Sequence, residues 1–136
     1  MAEELLSVTN LSVSFRMYQG ALTHTLVAGM HDVNLHLNRG EILAVVGASG
    51  SGKSLLAHAV LGILPYNAVT SGEMRYRGEL LDAALQEQLR GRAMALIPQS
   101  VTYLDPLMRV GKEVCGLYGA PADMAATFRR LHLEER

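Results

Sequence analysis

The residues that most plainly imply chemistry are the octet Gly47-Ala48-Ser49-Gly50-Ser51-Gly52-Lys53-Ser54, which satisfies the spacing GxxxxGK[ST]. Its glycines let the backbone curl until successive N–H groups converge on phosphate oxygens. A helix beginning near Lys53 adds the positive end of its dipole at the same point. Lys53 is placed to reach terminal phosphates as a mobile point charge, and the Ser54 hydroxyl to ligate a magnesium ion that otherwise keeps most of its water. The competing reading is a flexible Gly/Ser loop that happens to contain a lysine. At average residue usage that coincidence arises in roughly one chain of this length in two hundred, and requiring the right flanking elements lowers it further.

Such a cradle needs a strand to aim it and a helix to close it. Ile42 to Val46 is an unbroken apolar run between Gly40-Glu41 and Gly47, which predicts a strand buried on both faces, as in a parallel sheet. Leu55, Leu56, Ala59, Val60, Ile63 and Leu64 follow helical spacing, predicting a helix from about Lys53 towards Pro65. Upstream, Leu11, Val13 and Phe15 alternate with Ser12 and Ser14, whereas Leu6 and Val8 sit in the opposite phase. That change of phase predicts a bulge or turn near Asn10. Val33, Leu35 and Leu37 alternate with Asn34, His36 and Asn38, so two antiparallel-type strands are expected before residue 40.

Downstream, Met74 and Tyr76 predict a short strand, and Asp82 is positioned to cap a helix carrying Leu85 and Leu89. Ala93 to Ile97 forms a second apolar run that ends at Pro98-Gln99. Val110, Val114 and Leu117 then mark one helix, and Pro121 suits the first turn of a last one bearing Met124, Phe128 and Leu131. The longer loops are expected at 16–30, 65–72 and 98–109.

Composition bounds the alternatives. With 136 residues, 49% hydrophobic and 18% charged, the chain is sized for one domain and is too apolar to be largely disordered. Twelve Lys and Arg against 13 Asp and Glu leave a net charge of −1, which argues against nucleic acid as a partner. A single cysteine, Cys115, excludes an intrachain disulfide and a Cys-rich zinc site, and fits a reducing compartment. Met-Ala-Glu-Glu lacks the start of a signal peptide and no apolar run reaches 18 residues, so neither secretion nor a membrane span is expected. His24, His31, His36, His58 and His132 have no metal-ligand spacing, and Cys115 reads as a small core residue.

On these motifs the chain resembles the ATP-binding subunits of ABC transporters, over nearly all of its length. Leu11 to Phe15 is similar to the strand leading into that family's A-loop, with Phe15 in the place of the aromatic ring that stacks on adenine; plain burial of a strand phenylalanine is the competing reading. Arg39-Gly40-Glu41-Ile42 resembles the turn and Gly-Glu pair ahead of the phosphate loop, and Ser71-Gly72-Glu73 with Tyr76-Arg77-Gly78 resembles the next hairpin. Ile97-Pro98-Gln99, followed by Leu104, Pro106, Val110 and Gly111, resembles the Q-loop, whose glutamine approaches the magnesium and the attacking water.

The resemblance implies an α/β fold of the P-loop NTPase, ABC ATPase type: N-terminal antiparallel strands plus a parallel core strand leading into the phosphate loop and its helix. It implies ATP and Mg2+ as cofactors, held by Gly47 to Leu55 with Phe15 and Gln99. Lys53 and Gln99 would take catalytic roles, and Ser54 and Gln99 would face the metal. Gly50 to Leu55, Leu61-Gly62-Ile63-Leu64-Pro65 and Leu89-Arg90-Gly91 are most similar to importers of oligopeptides, dipeptides and nickel. Glu113-Val114-Cys115 through Gly119-Ala120-Pro121-Ala122-Asp123 leans towards the nickel branch, leaving peptide and metal both open.

Implied partners are permease subunits, a second ATP-binding subunit in a homo- or heterodimer and, indirectly, a substrate-binding protein, at the cytoplasmic face of the inner membrane. The family's signature motif, Walker B strand with its catalytic glutamate and switch histidine have no counterpart in these residues; His132, Glu134 and Glu135 do not fill those roles. The expectation is therefore the N-terminal part of a nucleotide-binding domain, able to bind ATP but not to hydrolyse it alone, and marginal in isolation. The alternatives are a truncated non-hydrolysing fragment, a non-transport ABC ATPase, and a small P-loop kinase. The kinase would need an arginine-rich lid where this chain has a strand pair and a Q-loop-like run.

Overall fold

Apolar residues at alternating positions build the N-terminal part of the chain into a long antiparallel hairpin, in a computed structural model that describes residues 3–19, 23–100, 105–116 and 119–133. The chain divides into two compact units, residues 1–94 and 95–136.

In the first unit, β1 (Glu4–Gln19) pairs with β2 (Thr23–Asn38) from Gln19↔Thr23 to Glu4↔Asn38. The expected change of phase is a bulge: the register shifts between Val8 and Leu11, and Asn10 adopts φ 50°. Opposite it Asp32 adopts φ 47°. Both conformations are held by side chains, since the Asn10 N–H donates to Asn34 Oδ1 at 2.8 Å and the Asp32 N–H donates to Ser12 Oγ at 3.0 Å. The irregularity returns Leu11 and Val13 to the face that carries Val8, and all three are buried.

That face is covered by α1 (Lys53–Leu61), whose Leu56 and Ala59 complete a core with Val8, Leu11, Val13 and Met30. β3 (Ala68–Tyr76) adds to the other edge of β1 and turns at Arg77-Gly78 into β4 (Glu79–Leu80), giving the order β2-β1-β3-β4, antiparallel throughout. Arg75 braces this turn, donating to Glu73 Oε1 at 2.6 Å and to the Gly78 carbonyl at 2.9 Å. Asp82 caps α2 (Ala83–Leu89) as expected, accepting the Leu85 N–H at 2.8 Å.

Three expectations need correction. Residues 16–30 are mainly not a loop: β1 runs to Gln19 and β2 starts at Thr23, because cross-strand pairing continues past the point where alternation fades. Residues 65–72 are strand from Ala68 onward, so the short strand at Met74–Tyr76 is longer than its two apolar markers. Most important, Ile42 to Val46 forms no strand and is not buried; Ile42 is 96% and Val46 90% exposed. A parallel strand exists only by pairing, and none of the named strands pairs with this run. The second apolar run, Ala93 to Ile97, takes part in a single isolated bridge, between Arg90 and Met94.

The second unit contains α3 (Val110–Cys115) and α4 (Pro121–Arg130), the latter opening on Pro121 as expected. Glu113 accepts the Asp105 N–H at 2.7 Å, tying the preceding turn to α3. Cys115 is half-buried with its Sγ 3.8 Å from Met124 Sδ, a packing contact between the two helices. α3 stops at Cys115, and Leu117 lies outside the described residues.

Candidate functional site

The octet forms a curled loop that runs directly into α1. Ser51 N–H donates to the Ala48 carbonyl at 3.2 Å, closing a turn, and a Cβ added at Gly47 would lie 2.6 Å from Ser51 Oγ. Gly52 enters the helix with φ 90°, where a side chain would be strained, and a Cβ there would sit 3.2 Å from the Gly29 carbonyl of β2. No side chain caps the start of α1 and no acidic residue occupies its first turn, so the helix itself supplies no side-chain cap and no counter-charge to its leading N–H groups and dipole.

Lys53 folds back over the loop. Its Nζ donates to the Gly47 carbonyl at 2.7 Å, the Ala48 carbonyl at 2.6 Å and Ser51 Oγ at 3.3 Å. The ammonium is thus held against the octet by neutral acceptors, which an anion can replace without breaking an ion pair. From Ile42 to Gly72 the sequence contains no Asp or Glu, and Lys53 is its only Lys or Arg. The flanking sequence thus places no carboxylate against the charge of the lysine. Ser49, Ser51 and Ser54 are exposed, so their hydroxyls are open to an incoming group.

Phe15 sits on the face of β1 that packs against α1, half-buried at the edge of the core. A Cβ added at Gly29 would lie 2.8 Å from both Phe15 Cε2 and Leu55 Cδ2, so ring and leucine converge over this glycine. The structure thereby gathers Phe15, Leu55 and Gly52 around one point of β2, beside the octet. Gln99 belongs to the second unit and is exposed, after an equally exposed Ile97; Leu104 lies outside the described residues. Gly29 has no signal in the sequence, because it falls in the stretch expected as loop and its role comes from the pairing of β1 with β2.

The family model for the ABC transporter matches residues 30–136, taking in the octet, α1 and everything downstream. The chain belongs to the ABC transporter family. Among curated relatives, this ABC chain is 40% identical over 120 residues to the dipeptide transport ATP-binding protein DppD of Lactococcus lactis, covering 84% of the chain and 33% of the relative. It is 38% identical over 117 residues to the oligopeptide transport ATP-binding protein OppD of Escherichia coli, covering 83% and 33%. To the OppD of Bacillus subtilis it is 36% identical over 116 residues, covering 81% and 31%. The ABC chain therefore spans about a third of the length of the curated relatives it matches. Among its described residues no helix is long and apolar enough to cross a membrane.

Proposed function

We propose that this chain is the N-terminal part of the nucleotide-binding domain of a peptide importer, and that its octet holds the phosphates of MgATP. The observation that carries the reading is the octet itself: a curled loop opening onto an uncapped helix, with Lys53 held against it by the Gly47 and Ala48 carbonyls and Ser51 Oγ. Gly47 to Leu55 would hold the phosphates, Ser54 the magnesium ion, and Phe15 would border the adenine; Gln99 would approach the metal once the domain is assembled. MgATP supplies the phosphoanhydride whose hydrolysis drives a transport cycle. The residues of this chain contribute binding and charge placement: the loop N–H groups and Lys53 accept the anion, and the apolar face of α1 fixes them to the sheet.

Peptide is favoured over nickel as the cargo because the relatives above are named for dipeptide and oligopeptide transport. In this reading the partners are permease subunits and a second ATP-binding subunit, with a substrate-binding protein beyond them, at the cytoplasmic face of the membrane. The chain alone binds nucleotide without turning it over, since no residue of it supplies a signature motif, a Walker B glutamate or a switch histidine. Calorimetric titration with MgATP tests this. Binding to the 136-residue chain with no phosphate release is expected, and Lys53→Ala should lower the affinity by at least about a hundredfold, the scale of a charge-assisted contact to phosphate lost together with its charge. Equal affinity in the variant would overturn the site.

A further inference from the structure

α1 is a helix whose two ends are treated oppositely. At its start Gly52 offers no side-chain cap and the first turn carries no acid. At its end almost every carbonyl has a partner. Ile63 N–H donates to the His58 carbonyl at 3.0 Å and Gly62 N–H to the Ala59 carbonyl at 3.1 Å, a Schellman arrangement with Gly62 at φ 64°. From α2, Gln86 Nε2 adds donations to the Ala59 carbonyl at 2.9 Å and the Val60 carbonyl at 3.2 Å. Arg90 adds another, from its guanidinium to the Gly62 carbonyl at 3.0 Å.

Gln86 is the one buried polar side chain among the described residues, 8% exposed. A polar group is desolvated at that cost only where its hydrogen bonds are made, and this one makes both of its amide N–H bonds to a single helix terminus. Gly62 is fitted to it, since a Cβ there would overlap Gln86 Oε1. Arg90 places a positive charge where the α1 dipole is negative.

We propose that Gln86 and Arg90 are positioning residues for the phosphate loop, acting through α1. A nine-residue helix is about 13.5 Å long and marginal by itself, so a loosened last turn is within two turns of the first. With the leading N–H groups kept free for an anion, the order of the helix comes from its packed face and from this clamp at the far end. The clamp lets the phosphate end stay uncapped without fraying. This rests on the reading of the octet as a phosphate site, but its structural half can be measured without nucleotide.

The test is residue-resolved hydrogen exchange on the 136-residue chain, followed by MgATP titration. In Gln86→Leu, which keeps the volume and removes both donors, amides from Leu56 to Ile63 should exchange about tenfold faster while those of Val8 to Val13 keep their rates; MgATP affinity should fall by about tenfold. Arg90→Ala should give a smaller change of the same pattern, and Arg90→Lys, which retains a donor, should restore most of it. Unchanged exchange in α1, or an equal acceleration of β1 and α1, would overturn the clamp, because the second result marks a general loss of stability. If Gln86→Leu does not fold, the two Arg90 variants decide the question on the same readout. Absence of MgATP binding to the wild-type chain would count against the phosphate site, and the exchange pattern would still decide the clamp.

Discussion

Gly29 is the residue on which three parts of the candidate site lean: the Phe15 ring, the Leu55 side chain and the backbone of Gly52. Gly29→Ala should push the ring and the leucine apart and lower stability by about 1 to 3 kcal/mol, read from the urea midpoint at constant m. Near-identical midpoints would show that both side chains rotate aside freely. The contrast with Lys53 explains what could be read in advance. Lys53 meets Gly47, Ala48 and Ser51, all within six residues, so a short pattern carries the whole arrangement. Gly29 and Gln86 act across strand pairing and helix packing, Gln86 on carbonyls more than twenty-five residues away, and no local pattern marks them. Phe15 lay between: its position was legible, whereas its placement over Gly29 depends on the register of β1 against β2.

At the scale of elements, the parts that were legible are those whose cause is local. Asp82 caps α2 through its own Leu85 N–H, Pro121 opens α4, and the bulge at Asn10 announces itself as a break in alternation. Asp82→Ala should cost about 1 kcal/mol of stability, with the loss confined to faster exchange in Ala83 to Gln86 if α2 alone frays. That variant also bears on the clamp, because Gln86 and Arg90 ride on the same helix. The element that failed, the strand at Ile42 to Val46, has a non-local cause. Five apolar residues specify what such a strand would bury, but the pairing that makes it a strand must come from neighbours that the four-stranded antiparallel sheet does not provide.

For the molecule as a whole, this leaves a sheet and helix around a small core beside an apolar segment in contact with water. Exposed, uncharged backbone of this kind seeks pairing with any available edge. The isolated chain should self-associate at micromolar concentration, and replacing both Ile42 and Val46 by Lys should shift it to monomer in sedimentation velocity without lowering its melting temperature. A monomeric wild-type chain would show that the run is sheltered in solution. The long hairpin has a further consequence, in the order of events at the ribosome. β1 and β2 are consecutive in the chain, so they can pair as a hairpin, an event of about 1 to 10 microseconds, once both have emerged. Synthesis at about 5 to 20 residues per second then leaves an interval on the order of a second or more before Leu56 and Ala59 appear. Through that interval the buried trio of β1 is bare on a two-stranded hairpin, with β3 and β4 still to be made. The first helix to arrive is α1, so the lysine loop is drawn into shape by the same docking event that covers the nascent core.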